Sequence, residues 1–384
     1  MTHQDTRSTT RRAFLANAFT GGVVGTAGCQ IRMPTWLFGD PAPPPFGPVE
    51  HGWRMAGRDA ANTAHNPGAD GPESEPEPIW EFDVGEGVPQ AVIEERTLAI
   101  TVDDTLYVYD LGDGELAWTA SVETHRREPM ITSGRLYVQT ADRELSCLDA
   151  ETGERVWSAT TENSVRTPVI DRETVVVSDG GGDVYAFEDS DGSERWRTDS
   201  EQQSTLGPHA VDEDVVYVGG ENALVVLDLD TGEMQWRAED NYGGLRPTVV
   251  DGVVYTGGLE IEAHSTNGVV SWRTDTGVGS FSTPTIVGDR ACATRAGGRI
   301  QIRAVGSGEL LWAEDTRSWD GRPITDGSTI YVASGDTGRR IYGLNPVTET
   351  VEWTKRVPEA PYSLRLVDDL LFVGMATGKL LAFR

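Results

Sequence analysis

Tryptophan recurs along this chain at Trp80, Trp118, Trp157, Trp196, Trp236, Trp272, Trp312 and Trp353, in steps of 38, 39, 39, 40, 36, 40 and 41 residues. The seven downstream copies share an upstream pattern, a Gly four positions earlier and a polar residue eight earlier. Asp110/Gly114/Trp118, Asp149/Gly153/Trp157 and Asp228/Gly232/Trp236 are full copies. Glu188/Gly192/Trp196, His264/Gly268/Trp272 and Ala304/Gly308/Trp312 are weaker, and Asn345/Trp353 has Glu349 in the Gly position. Self-similarity at this period belongs to propellers and solenoids, because one repeat cannot bury both of its faces and must stack on its neighbours.

Each unit opens on a proline: Pro89, Pro129, Pro168, Pro208, Pro247, Pro284 and Pro323, with Leu364 in that place in the eighth. Unit five then runs Pro247-Thr248-Val249-Val250, turn Asp251-Gly252, Val253-Val254-Tyr255, two further short strands and a turn at Asn267-Gly268 before Trp272. Four short strands of β-branched and aromatic residues joined by hairpin turns make a β-meander, and no segment sustains a helical period. Four antiparallel strands per unit argue against a β-helix, and the Gly-x-x-x-Trp spacing differs from the His/Trp-Asp signature of WD repeats. From residue 80 onward the repeat closely resembles the tryptophan-docking motif of pyrroloquinoline-quinone (PQQ) type propellers, a family that includes quinoprotein dehydrogenases and BamB-like lipoproteins. The stretch Ile79 to Val84 has no first three strands and the unit ending at Arg384 has no fourth. Joined, they complete one blade and remove the open sheet edges. The expected fold is therefore all-β: an eight-bladed propeller of four-stranded antiparallel blades, spanning 79–384 and closed by residues 79–84 on the last blade.

Ahead of the propeller, Thr10-Arg11-Arg12-Ala13-Phe14-Leu15 resembles a twin-arginine export signal, followed by an apolar stretch too short to span a bilayer. Thr26-Ala27-Gly28-Cys29 resembles a lipobox. Residues 1–28 thus read as a cleaved signal and Cys29 as a lipidated N-terminus on the outer face of the cytoplasmic membrane; the competing reading is an incidental cysteine after an ordinary cleavage site. Residues 29–78 read as a Pro-rich stalk and a lead-in segment around Trp53-Arg54-Met55-Ala56-Gly57-Arg58-Asp59, expected to pack on the propeller rim.

The chain carries 61 acidic and 32 basic residues, a formal net charge of -29. That balance disfavours nucleic acid and resembles proteins of salt-loving organisms, in which screened surface carboxylates hold water. Cys29, Cys147 and Cys292 include no adjacent pair and no CxxC, and Cys147 and Cys292 fall in opposite units, so they read as buried apolar residues. The six histidines show no zinc spacing, and no GxSxG or Walker loop occurs. Asp189-x-Asp191-Gly192-x-Glu194 resembles the start of a calcium loop but is also the ordinary turn of its unit. Asp179-Gly180-Gly181-Gly182-Asp183 reads as a hairpin turn.

In a meander running outward from the axis, the turns between strands one and two and between three and four share one face, here rich in Asp and Glu. The opposite face carries the loops into each strand one and the turns between strands two and three. Those loops hold Arg126, Arg127, Arg166, Arg246, Arg322 and Arg365 interleaved with Tyr242, Phe281, Trp319 and Tyr362. One reading makes them a site for an anionic or peptide ligand, with guanidinium forks and flat aromatic contact. The other pairs each Arg with a neighbouring carboxylate. The functional expectation is a non-catalytic, membrane-anchored scaffold that binds protein or peptide partners, with no metal and no PQQ. The alternative is a PQQ-dependent quinoprotein dehydrogenase or a small-ligand-binding propeller. The resemblance implies, for such enzymes, an adjacent-cysteine disulfide, a bound calcium and long insertions, none of which this sequence shows.

Overall fold

The computed structural model describes residues 44–83, 87–122, 128–202, 204–205, 209–221, 223–239, 246–274, 281–318, 321–335 and 338–384. Arg11, Arg12, Cys29, Arg126, Arg127, Tyr242 and Trp319 lie outside the described residues, as does the side chain of Arg246.

Eight four-stranded antiparallel sheets form the blades of a propeller. Blades 1 to 7 are Gln90–Ser121, Met130–Thr160, Val169–Asp199, Ala210–Glu239, Arg246–Arg273, Thr285–Ser318 and Ile324–Arg356. Blade 8 takes its first three strands from Pro361–Phe383 and its fourth from Pro78–Asp83, paired antiparallel through Trp80 opposite Ala382 and Phe82 opposite Leu380. The closing strand thus matches the expected segment to within a residue, and covers an edge that would otherwise be open.

Burial explains the composition of the strands. Strand two of blade 3, Thr174–Ser178, is buried at every position because neighbouring blades cover both its faces, so it reads as one apolar run. Strand four of blade 2, Arg155–Thr160, alternates instead, burying Trp157 and Ala159 and exposing the residues between. In all eight blades the residue just before the Trp is an extra one, a β-bulge: Ile79, Ala117, Val156, Arg195, Gln235, Ser271, Leu311 and Glu352. A bulge re-aims the next side chain and disrupts an outer edge that could recruit a foreign strand.

The re-aimed indole is the fastener between blades. Trp118, Trp157, Trp196, Trp236 and Trp272 donate through Nε1 to the carbonyls of Ala150, Asp189, Leu229, Thr266 and Val305 in the next blade's outer turn, at 3.0, 2.7, 2.8, 2.7 and 2.6 Å. The glycine of that turn lies under the ring. A Cβ added at Gly153, Gly192 or Gly232 would sit 2.8, 2.6 or 2.6 Å from the indole of the preceding blade. These glycines also hold φ between 71° and 73°, so both contact and backbone demand them. One register expectation is corrected: blade 5's turn is a residue shorter, with Gly268 N bonding Ser265 O, so Ser265 and not His264 takes the Asp position. Blade 8 has no such turn between its third and fourth strands, and Trp353 donates to Pro72 O at 2.9 Å, a carbonyl of the lead-in.

The lead-in is not a rim decoration. Its backbone bonds the inner strands one after another: Trp53 pairs with Ile93, Arg54 O accepts from Ile131 N, Ala60 O from Val211 N, Ala61 O from Val249 N and Ala64 O from Thr325 N. Asn66 Nδ2 reaches Leu366 O at 2.8 Å. Among the described residues, five of the eight blades therefore receive a main-chain bond from residues 53–66 and a sixth a side-chain bond from Asn66, all near the outgoing ends of their first strands. The segment closes the central channel at the acidic, turn-bearing face. The rim expectation failed because Trp53, Met55 and Ala64, which look like a surface hydrophobic cluster in sequence, are here the buried filling of an otherwise open channel.

Candidate functional site

The candidate residues near each opening proline do not converge, because they sit at different positions of an extended segment whose facing alternates residue by residue. Arg322, just before Pro323, reaches into the channel. Its guanidinium donates to Asn62 Oδ1 at 2.7 Å, to Asn62 O, to Thr248 Oγ1 at 2.7 Å and to Pro284 O at 3.1 Å. Arg365, one past Leu364, is also turned inward: it lies over the Trp53 ring at 5.5 Å, donates to Ala91 O at 3.3 Å and pairs with Glu128 at 2.9 Å. Both arginines clamp the lead-in to the wall. Phe281 is buried between blades 5 and 6 with Arg295 over its ring at 5.7 Å. Tyr362 is half exposed on the loop face.

Arg166 differs from the other two arginines. Its backbone is tied to Ser178 O at 2.8 Å, and its guanidinium has one described contact, Nη2 to Ser204 Oγ at 3.4 Å. Beside it runs a buried polar network that sequence reasoning missed. His209 Nε2 and Ser178 Oγ are 2.6 Å apart, and Thr205 Oγ1 lies 2.7 Å from the same hydroxyl and 2.9 Å from Asp179 O. Burial without a compensating charge pushes the His209 imidazole down to about 4, so the ring is neutral at pH 7. Ser178 and His209 are 0% and 1% exposed, which closes this pair to any substrate. The only sequence signal for the network is a His in place of the Thr that follows the opening proline in units five and six.

The carboxylates of the calcium-like stretch are committed to the preceding blade and to their own turn. Asp189 accepts from the Tyr137 hydroxyl and pairs with Arg135 at 3.4 Å, and Asp191 Oδ1 caps Ser193 N at 3.0 Å. Among the described residues no group of three or more His, Cys, Asp or Glu side chains converges as a metal site would require. Cys147 and Cys292 are free and buried, in blades 2 and 6.

Residues 53–205 and 180–384 match the family described as outer membrane protein assembly factor BamB. The chain belongs to that family. No curated protein matches it. Among solved structures it resembles BamB from Moraxella catarrhalis, with a TM-score of 0.64 at 18% identity over 80% of this chain and 99% of that one. It also resembles the computationally designed Ika8 protein, with a TM-score of 0.67 at 12% identity over 82% and 99%. A third likeness is the quinohemoprotein alcohol dehydrogenase ADHIIG from Pseudomonas putida HK5, with a TM-score of 0.68 at 13% identity over 87% and 80%. An assembly factor, a designed protein and an enzyme share one scaffold, so these likenesses establish the propeller and nothing about chemistry.

Proposed function

We propose that this BamB-family chain is an exported, lipid-anchored scaffold that docks protein or peptide partners on its loop face and performs no catalysis itself. The observation that carries the reading is the disposition of the two channel ends. The lead-in occupies one end, and Arg322 and Arg365 are spent holding it. Arg166, whose guanidinium has one long described contact, and the half-exposed Tyr362 are on the opposite face. The residues present do not fit a quinone held against a disulfide beside calcium: the described cysteines sit in opposite blades and no ligand cluster converges among the described residues. Anchorage through Cys29 after twin-arginine export, and a salt-loving source, belong to the same proposal. An anchor on the outer face of the cytoplasmic membrane would put the loop face within reach of other envelope proteins.

Crosslinking on native membranes followed by mass spectrometry tests the docking reading. Specific partners are expected, captured less by an Arg166→Ala/Tyr362→Ala variant of unchanged melting temperature. Unchanged capture by that variant would count against the loop face. Stoichiometric PQQ binding in a titration followed by absorbance would overturn the non-catalytic reading.

A further inference from the structure

We infer that the junction of blades 3 and 4 on the loop face binds a peptide carboxylate, with Arg166 as its cation and Gln202 reading the adjoining peptide N–H. The inference rests on the docking reading above and names the chemistry that one part of that face would recognise.

Arg166 is held ready but unsatisfied. Val165 pairs with Asp179 and Arg166 N bonds Ser178 O, so the loop is an extension of the first strand and presents the side chain from a fixed backbone. The Ser204 contact at 3.4 Å is at the long limit for a hydrogen bond, and Nε is buried with no partner among the described residues. In this chain of 61 acidic residues other inter-loop arginines find carboxylates: Arg197 pairs with Glu162 at 2.6 Å and Asp183 at 2.5 Å, and Arg365 with Glu128 at 2.9 Å. Arg166 has none within 4.0 Å among the described residues. The acid of the adjoining turn, Asp179, is spent elsewhere. Its Oδ1 accepts from Gly181 N at 2.8 Å and Asp183 N at 3.2 Å, and its Oδ2 from Asn163 N at 3.0 Å and the Tyr185 hydroxyl at 3.2 Å.

Gln202 is the second, independent observation. It is 6% exposed, and neither its Oε1 nor its Nε2 has a hydrogen-bond partner among the described residues. Buried amides left in this state are rare, and each unpaired atom is a cost that a ligand can relieve. The two groups flank one turn. A Cβ on Gly180 would lie 3.7 Å from Arg166 Nη2, while Gly182 abuts the Gln202 carbonyl and Gly220 abuts its side-chain amide. Arg166 reaches Ser204, whose backbone is two residues, about 7 Å at most, from that of Gln202, the reach of a carboxylate and the next peptide group in an extended peptide. At Gly180 an added Cβ would meet nothing closer than 3.7 Å, so the turn is open beside the guanidinium, whereas Gly181, Gly182 and Gly220 are closely packed by Asn163 and Gln202.

The pairing selects the ligand class. A guanidinium fork matches a carboxylate or a phosphate equally. The Gln202 amide offers a donor and an acceptor, and its Oε1 needs an N–H, which a phosphate lacks and a peptide supplies. The carboxylate is a chain terminus or an Asp/Glu side chain; both present this chemistry.

The test is NMR titration of the 15N-labelled full chain with three probes: N-acetyl-Ala-Ala-Ala with a free C-terminus, its C-terminal amide, and N-acetyl-Ala-Glu-Ala-amide. Saturable shifts of the Arg166 Nε–H, the Gln202 side-chain NH2 and the Gly180–Gly182 amides are expected with a free carboxylate, with Kd on the order of 1 mM for so small a probe. Response to the first probe alone assigns a chain terminus, and response to the third assigns an acidic side chain. Arg166→Lys, which keeps charge but loses the fork, is expected to weaken binding about tenfold, as is Gln202→Leu. Equal shifts with the amide, equal shifts in Arg166→Lys, equal competition by inorganic phosphate, or no shift with any probe would overturn the site. Crosslinked partners that persist in Arg166→Lys would then show that the docking reading survives its loss, whereas a wild-type chain that captures nothing would sink both.

Discussion

Gly192 and Gly134 hold almost the same backbone, φ 73° and 72°, yet differ in one respect. A Cβ at Gly192 would meet the Trp157 ring at 2.6 Å, and a Cβ at Gly134 would meet nothing within 4 Å. Gly134→Ala therefore measures the backbone term alone, roughly 1 to 2 kcal/mol for an L-residue forced into the left-handed region. Gly192→Ala adds overpacking against a rigid ring that also bonds Asp189 O at 2.7 Å, about 1 to 3 kcal/mol more, for a total of roughly 2 to 5. Trp157→Ala is expected to cost about 3 to 5 kcal/mol, since the side chain is 6% exposed and leaves a cavity between blades. The double variant is the decisive one. With the indole gone the added methyl has room, so Gly192→Ala in the Trp157→Ala background should cost no more than Gly134→Ala, giving a coupling of about 1 to 3 kcal/mol. Urea unfolding followed by far-UV circular dichroism supplies the four free energies. Equal losses at Gly134 and Gly192, or additivity in the double variant, would refute the claim that the glycine is kept for the ring.

Three further outcomes follow from the same contacts. Arg322→Ala strips donors from Asn62 O, Asn62 Oδ1 and Pro284 O and should lower stability by roughly 2 to 4 kcal/mol while making residues 44–70 sensitive to protease; unchanged protection would show that the clamp is dispensable. His209, at about 4 when folded against 6.5 when unfolded, contributes nothing to pH dependence above 6.5, but as pH falls below that value only the unfolded chain gains the proton, and roughly 3 kcal/mol is lost by pH 4. His209→Gln should therefore flatten the stability profile between pH 6.5 and 4 relative to wild type, and parallel profiles would contradict the buried neutral ring. With a net charge of -29, the melting temperature should rise as KCl is raised from about 0.1 to 2 M; a flat response would mean the carboxylates do not repel appreciably.

The propeller was legible because its fastener repeats. Trp and Gly stand in register in most units, and period-two strands between turns leave few alternatives, so blade number and the closing strand could be read by counting. The bulge before each Trp was not legible, since it is filled by Ile, Ala, Val, Arg, Gln, Ser, Leu and Glu in turn; it is a backbone feature with no residue preference. The lead-in was visible as a segment but not as a plug. Its partners are main-chain groups of strands 40 to 300 residues away, and a carbonyl carries no sequence signature. The loop-face cluster was half legible: the arginines were found, but Arg166, Arg322 and Arg365 stand two before, one before and one after their unit's opening position, and each step of one residue turns the side chain to another surface. Gln202, with no charge and no motif, gave no signal.

That uneven legibility has a structural cause. Five junctions between blades are fastened by an indole over a glycine on the acidic face, and five blades receive a main-chain bond from the lead-in in the channel, so many of the contacts that hold the blades together lie on one side of the disc. Loops on the other side carry no part of that load, and a substitution there leaves the fasteners intact. An assembly factor, a designed protein and an alcohol dehydrogenase all resemble this scaffold at 18% identity or less to this chain. Function in this chain must then be sought where the repeat is silent, and the unpaired Arg166 and Gln202 are where that silence is accompanied by an unmet hydrogen-bonding demand.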